Sequence, residues 1–172
     1  MNMNLTNFQE FSKEEKKSKQ PITLEQIQEW VKNEQFDKFY LSSEIEEKYQ
    51  VEKEEAIQKL KKKLKLKRAQ NKHLRWVVQK NDYPYYLATD LEHWIIWDIK
   101  QKDWNKTKLD FYGQIRKCDN YHDHASVLAQ FSMANQVNWW EREYWINPPQ
   151  FRSISDIPHI HLVKKNRSKQ KL

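Results

Sequence analysis

The sequence predicts an α+β fold, in which N-terminal amphipathic helices pack on a small sheet that one further helix covers. Within the first 70 residues, apolar side chains recur at the three- and four-residue spacing of one helix face. Beyond residue 70 the pattern changes to short runs of bulky residues between turn-forming residues, which is typical of strands. A chain of 172 residues with 13% aromatic residues is long enough for one domain with a real hydrophobic core.

Three helices are predicted in the N-terminal part. Thr23 with Gln26 three residues later forms a capping-box pattern, which predicts the start of the first helix. Ser42 or Ser43 can cap a second helix over residues 44–49, and an apolar stripe predicts a third helix: Ala56, Ile57, Leu60 and Leu64. Because a short turn is expected between the second and third helices, this pair resembles a helix-turn-helix in spacing.

Strands and one more helix are predicted in the second half. Residues 93–99 are bulky on both faces, which indicates a strand buried on both sides. Residues 74–78 form a short apolar run, and residues 143–147 and 160–163 are predicted as further strands. The polar residues 100–108 are predicted to form a loop. The covering helix is predicted to begin at Asp119 or Asn120, and it would carry His124, Val127, Leu128, Phe131 and Ala134.

The expected organisation is one domain with short polar ends. Residues 1–20 are polar with isolated apolar positions, so we expect a disordered N-terminal segment. Residues 21–69 form a helical basic region, residues 70–164 form the α+β core of the same domain, and residues 165–172 form a basic tail. Deletion of the first 18 residues is therefore expected to leave folding intact.

Composition excludes several classes of protein. The single glycine excludes Gly-rich phosphate loops and dinucleotide fingerprints, and the lone Cys118 excludes an intrachain disulfide and a thiolate zinc site. The sequence contains no signal peptide and no apolar run of membrane-spanning length, so we expect a soluble intracellular protein with no membrane partner. Residues 61–68 can be read as a nuclear import signal, which favours the nucleus slightly over the cytoplasm.

Positive charge is concentrated in one segment of this chain of net charge +7. Residues 44–55 contain six glutamates, whereas every charged residue within residues 59–80 is basic. Such a segment attracts a polyanion because neutralised phosphates release counterions. The alternative is a solvated lysine-coated helix face. Because lysine outnumbers arginine, attraction to the DNA or RNA backbone is expected rather than base reading, and the candidate contacts are Lys59, Lys61, Lys62, Lys63, Lys65, Lys67, Arg68, Lys72 and Arg75.

Three histidines and one arginine are the candidates for chemistry. His159 and His161 lie two apart on a predicted strand, so both side chains point to one face. They could chelate a metal, act as an acid/base pair, or hydrogen-bond structurally, and we expect neither a metal nor a cofactor. His93 opens another strand, and Arg152 follows a double proline in a rigid loop, where it could meet a phosphate or a carboxylate. His122 and His124 precede a helix and are expected to be solvated.

Several blocks of sequence resemble a known family. In order these are Thr23-Leu24, Trp30, residues 36–39, Tyr49, residues 81–85, residues 91–97, Asn147-Pro148-Pro149, Ser153-Ile154 and residues 159–163. Over roughly residues 23–164 the chain resembles the uncharacterised family called domain of unknown function 3605, which includes fungal proteins named N-acetylglucosamine-induced protein. The lysine-rich residues 59–68 depart from its pattern. The resemblance implies no known reaction, but it points to shared positions at His93, Trp97, Asn147, Pro148, Ser153, His159 and His161.

Two functional hypotheses follow. The first is a non-catalytic basic binding subunit, a DNA-binding accessory component of a larger intracellular assembly such as a DNA-modifying one, with a protein partner docked on its aromatic surface. The second is a small enzyme or binding domain for an anionic metabolite, such as a sugar phosphate, that uses His93, His159, His161 and Arg152. These four side chains must converge in one pocket if the second hypothesis is correct.

Overall fold

The computed structural model of the chain describes residues 19–120 and 141–166. Within these residues, three helices accompany one four-stranded antiparallel sheet, which confirms the predicted α+β class. The helices are α1 (Leu24–Lys32), α2 (Ser43–Gln70) and α3 (Trp104–Asn120), and the strands are β1 (Trp76–Lys80), β2 (Leu91–Asp98), β3 (Arg142–Trp145) and β4 (His159–Lys165). The strand order is β1-β2-β4-β3. His122, His124 and the apolar residues predicted for a helix after Asn120 lie outside the described residues.

Helix α1 begins with the capping box that the sequence predicts. The Thr23 hydroxyl accepts from the Gln26 backbone N–H at 3.3 Å, and the Gln26 side chain accepts from the Thr23 backbone N–H at 2.9 Å. Leu24 and Ile27 are buried on the inner face of the helix, where they pack in one cluster with Trp145. The helix therefore covers the end of the sheet near β3.

Helix α2 corrects one prediction, because it is a single helix of 28 residues with no turn between residues 49 and 56. The helix-turn-helix interpretation of this region is therefore wrong. Residues 51–55 contain neither glycine nor proline to interrupt the backbone. An ion pair of 2.6 Å between Glu55 and Lys59 adds support across the boundary between acidic and basic residues. The Ser42 hydroxyl caps the N-terminus by accepting from the Ile45 backbone N–H at 3.3 Å.

The two faces of the sheet pack against different helices. On β2, Ile95 and Trp97 cluster with Leu64 of α2, whereas Ile96 on the opposite face clusters with Phe111 of α3. β2 is thus buried on both sides, as its sequence predicts, because β1 and β4 flank it and helices cover both faces. The face towards α1 and α2 is the one that carries the histidines.

Helix α3 corrects a second prediction. It begins at Trp104, inside the segment predicted to be a loop, and it continues to Asn120. The Asp103 carboxylate accepts from the backbone N–H groups of Asn105 (2.9 Å) and Lys106 (3.2 Å), so it caps the helix. Polar residues cover the exposed face of this first turn, which removes the periodic apolar signal that would have revealed a helix.

A buried carboxylate joins α3 to the sheet. Asp98, at the end of β2, is fully buried, and its side chain accepts from the Thr107 hydroxyl of α3 at 2.9 Å. Arg75 donates to the same carboxylate through Nε (3.1 Å) and through a second nitrogen (2.7 Å). This charged network holds the start of β1, the end of β2 and α3 in one arrangement.

Candidate functional site

The sheet register brings three of the predicted site histidines together. β2 and β4 pair so that Ile95 lies opposite His161 and Trp97 lies opposite His159. Since side chains alternate along a strand, His93 projects to the same face of β2 as Ile95, and both β4 histidines project to that face. His93, His159 and His161 are each less than 10% exposed.

The rings of His93 and His161 form the centre of a row of four hydrogen-bonded side chains. His93 Nε2 lies 2.9 Å from His161 Nδ1. At one end, the Asn81 side-chain amide nitrogen lies 3.2 Å from His93 Nδ1. At the other end, the Asn147 amide nitrogen lies 3.1 Å from His161 Nε2. The row therefore runs from the turn after β1, across two strands, to the loop after β3.

His159 has a separate hydrogen bond. Its Nδ1 lies 2.9 Å from the backbone carbonyl oxygen of Ile157. A carbonyl oxygen only accepts, so Nδ1 carries the ring proton and the neutral ring holds its lone pair on Nε2. Among the residues that the structure describes, no protein group bonds that Nε2 atom.

Burial keeps these three histidines uncharged at neutral pH. Loss of solvation lowers the pKa of His93 to about 3 and the pKa of His159 to about 4. Burial, followed by the proximity of the other two imidazoles, lowers the pKa of His161 well below its usual value. The group therefore offers hydrogen-bond donors and acceptors at pH 7 rather than positive charge.

Aromatic rings hold the histidines in place. Tyr85 stacks on His93 with ring centroids 4.8 Å apart, and Trp145 stacks on His161 at 5.1 Å. Trp97 contacts His159 at 4.5 Å. Trp97 and Trp145 are buried, and the burial of Trp97 agrees with the prediction that residues 93–99 form a strand buried on both sides. The fixed rings leave the histidines little freedom to change partners.

Arg152 lies beside this group but is held by other contacts. Its guanidinium carbon lies 3.7 Å from the centroid of the Trp104 ring, and its Nε donates to the Asn147 backbone oxygen at 2.8 Å. Its positive charge contributes to the lowered pKa of His159. The short 3₁₀ turn Pro149–Phe151 positions the arginine. The four predicted residues therefore lie in one region, but they do not all converge in one pocket: His159 and His161 line the cavity described below, whereas His93 and Arg152 do not.

A cavity of about 260 Å³ opens next to the histidines, between α2 and the sheet. Its walls are mainly aromatic and aliphatic, with residues such as Tyr49, Ile57, Leu60, Tyr83, Trp97 and Phe151. Polar atoms come from Gln79, Asn81, Asn147, Ser153, His159 and His161. Asp82 is the one acid, and neither lysine nor arginine is present, among the described residues that line the cavity. The volume suits a molecule of about one ring.

The side chains around the cavity are arranged for hydrogen bonding to one another. Within residues 19–120 and 141–166, no three His, Cys, Asp or Glu side chains are arranged to hold a metal ion. His93 and His161 direct ring nitrogens at each other, which is a hydrogen-bonding arrangement rather than a shared ligand shell.

The predicted basic segment lies mostly on the second half of α2, and its members differ in their contacts. Lys59 pairs with Glu55, Lys61 pairs with Asp156 at 2.8 Å, and Lys63 donates to Gln79 at 3.1 Å. Arg75 belongs to the Asp98 network and also pairs with Asp110 at 2.8 Å. Lys67 is half-buried. The remaining members are exposed and have no partner among the described residues: Lys62, Lys65, Arg68 and Lys72.

Sequence reasoning missed two members of the histidine site. Neither Asn81 nor Tyr85 is among the predicted site residues, yet both contact His93. The signal was available, because both stand in the block of residues 81–85 that carries the family resemblance.

In the part of the chain that the structure describes, no helix is long and apolar enough to span a membrane.

The fold and the site define a class of protein: an α+β domain with a buried histidine row beside an aromatic cavity. The chain belongs to the DUF3605 family, a protein family of unknown function whose model matches residues 3–165, so the family resemblance is confirmed. The chain is also similar to the crystal structure of HTC1, with a TM-score of 0.56 and 19% identity over 84% of this chain and 85% of that one. At that identity the likeness shows the fold alone. No curated protein matches this chain.

Proposed function

We propose that this protein is a small-molecule-binding domain whose ligand occupies the cavity at His159 and His161. One observation carries the proposal: two histidines of β4, His159 and His161, line a cavity with otherwise mostly apolar walls, and His161 is hydrogen-bonded to His93 of the neighbouring strand. A concave, largely apolar pocket with a few convergent polar groups and perturbed pKa values is the usual form of a ligand site. If the domain also catalyses a reaction, His159 is the side chain for proton transfer, because its Nε2 carries an unbonded lone pair.

The chemistry of the walls favours an uncharged ligand over the sugar phosphate expected from the sequence. The histidines are neutral, Asp82 is acidic, and Arg152 is held against Trp104 and the Asn147 backbone. A phosphate buried here would lose its hydration without a cation to replace it, which costs several kcal/mol. The proposal therefore keeps His159 and His161 as binding residues and changes the class of metabolite.

Retention of a metabolite by the purified protein tests this proposal. The protein is equilibrated with a cellular metabolite extract, washed, denatured and examined by mass spectrometry for released compounds. Ala56→Phe, which fills the cavity from α2, and His159→Asn, which keeps a donor for Ile157 and removes Nε2, are expected to lose the compound. Lys62→Glu is the control and keeps it. An empty wild-type protein, or equal retention by Ala56→Phe, would contradict the proposal.

A second candidate function is binding of a nucleic-acid backbone by α2. It is supported by the exposed cations without partners among the described residues, Lys62, Lys65, Arg68 and Lys72. In this proposal the protein is an accessory DNA-binding subunit that acts with a protein partner, in the nucleus. Four phosphate contacts imply a log-log salt slope of about −3.6 on duplex DNA.

Charge reversal tests the second candidate. Changing Lys62, Lys65 and Arg68 to Glu is expected to abolish DNA binding in a low-salt titration followed by fluorescence anisotropy, because the three side chains are exposed and the fold does not use them. His159→Asn serves as the control and leaves DNA binding unchanged. No DNA binding at low salt, or an affinity for DNA that is unchanged by the three charge reversals, would refute this candidate.

A further inference from the structure

The hydrogen-bonded row contains more donors than acceptors. Asn81 Oδ1 accepts from the Tyr83 backbone N–H at 3.1 Å, so its amide NH₂ group must face His93. Asn147 Oδ1 accepts from the Trp145 indole N–H at 2.9 Å, so its NH₂ group must face His161. Neither amide can be turned around, because a backbone N–H and an indole N–H only donate.

Two neutral imidazoles between two NH₂ groups cannot satisfy every contact. Each neutral ring carries one N–H and one lone pair, and one N–H is used between His93 Nε2 and His161 Nδ1. The second N–H must therefore lie at one end of the row and face an amide donor. Protonation of either ring would add a further donor and make the mismatch worse.

The surrounding groups decide which end carries the extra N–H. At the His93 end, the Tyr85 backbone N–H also points at Nδ1, at 3.4 Å, so this nitrogen faces two donors and must accept. At the other end, the Asn147 amide has two alternative acceptors, the Tyr85 hydroxyl at 3.3 Å and the Phe151 carbonyl at 3.4 Å. The arrangement of lowest cost therefore places the proton of His93 on Nε2 and the proton of His161 on Nε2.

This assignment leaves the His161 N–H without an acceptor among the described residues, at a ring that lines the cavity. The neighbouring His159 has the opposite polarity, since its Nδ1–H is bonded to Ile157 and its Nε2 lone pair is unbonded. The two rings are 5.4 Å apart between centroids. The unpaired donor and the unpaired acceptor therefore belong to two neighbouring rings that both line the cavity.

We propose that His161 donates its Nε2–H to the cavity ligand and that His159 accepts from it. The ligand class is then an uncharged ring that carries a carbonyl oxygen next to an N–H, as in a lactam. This inference rests on the proposed function and adds the hydrogen-bonding pattern of the ligand. Such a molecule supplies the acceptor that His161 lacks, while its ring packs against the aromatic walls.

The tautomers are measured first, without any ligand. Long-range ¹H–¹⁵N correlation spectra of the ¹⁵N-histidine-labelled protein at pH 7 distinguish protonated from unprotonated ring nitrogens. The expected result is a proton on Nε2 of His93 and His161 and on Nδ1 of His159. A proton on Nδ1 of His161 would overturn the inference, while the proposed function, which does not depend on the tautomer of His161, would stand.

Three one-ring probes then test the ligand class by titration of the histidine signals. We expect 2-pyridone, with N–H and carbonyl, to bind about 3- to 10-fold more tightly than N-methyl-2-pyridone, because one hydrogen bond is lost. Benzoate, which is charged, is expected to bind least. His159→Asn should remove the preference between the two pyridones, and Asp82→Asn, the matched control in the cavity wall, should keep it.

Two results would overturn the ligand class: benzoate binding as tightly as 2-pyridone, or a pyridone preference that survives in His159→Asn. If none of the probes binds and the protein also retains no metabolite, both the inference and the proposed function fail. Because the preference is a ratio within one variant, a moderate loss of stability does not affect its interpretation.

Discussion

Acid should destabilise this protein through its buried histidines. Their pKa values in the folded state lie below the value of about 6.5 for an unfolded histidine, because burial disfavours the charged ring: about 3 for His93, about 4 for His159, and well below the usual value for His161. The unfolded chain therefore binds more protons. The stabilisation is fully present above pH 6.5, and it is lost as the pH falls from 6.5 towards 4 and 3.

The expected loss is large. At pH 5, which lies about 1.5 units below the unfolded pKa, each such histidine costs about 2 kcal/mol of stability. His93 and His159 together therefore cost about 4 kcal/mol between pH 7 and pH 5, and His161 adds to this. Burial raises the pKa of Glu143, which takes up a proton in the folded state and offsets a part of the loss. The total free energy of unfolding of a domain of this size is about 5 to 15 kcal/mol, so the expected loss is a large part of it.

Urea unfolding followed by tryptophan fluorescence at pH 7, 6 and 5 measures this loss. His159→Asn lacks one titrating ring, so its loss between pH 7 and pH 5 should be about 2 kcal/mol smaller than that of the wild-type protein. His73→Asn, at an exposed position, is the matched control and should behave as wild type. A wild-type change below about 1 kcal/mol would refute the reasoning, since buried neutral histidines cannot avoid this penalty.

Three pairs of substitutions test the fold. Asp98→Ala should cost about 3 to 5 kcal/mol in urea unfolding because it removes the buried acceptor that Arg75 and Thr107 share. Asp110→Ala, which removes the more exposed partner of Arg75, should cost under about 1 kcal/mol, and similar costs would contradict the network. Trp97→Ala should cost about 3 to 5 kcal/mol. Trp97→Phe should cost less than about 2 kcal/mol, because it also removes a buried N–H that has no partner in the described chain, and an equal cost would argue against core packing. Glu54→Pro should lower stability by about 3 kcal/mol or more relative to Glu54→Ala, because proline interrupts a continuous helix. A negligible difference between the melting curves of the two variants would instead support a turn at this position.

Local sequence was sufficient to predict an element wherever the residues that determine it lie within the same short segment. Thr23 and Gln26 stand three apart and form the predicted capping box, and the doubly apolar run of residues 93–99 lies in the predicted central strand. Two other predictions made from local sequence are wrong: the break within α2 and the loop where α3 begins. A turn was expected between a helix over residues 44–49 and the apolar stripe that begins at Ala56, although no glycine or proline interrupts the backbone there. A loop was expected over residues 100–108, where Asp103 in fact caps α3.

The sequence alone determined the α+β class, the family, and the fact that His159 and His161 share one strand face. Only the tertiary structure decided what those histidines contact. His93 and His161 are 68 residues apart, and their bond exists because β2 and β4 pair in one particular register. A shift of one residue would turn every side chain to the other face. The tautomers depend in turn on Asn81 and Asn147, whose amides are oriented by partners that no local pattern reveals.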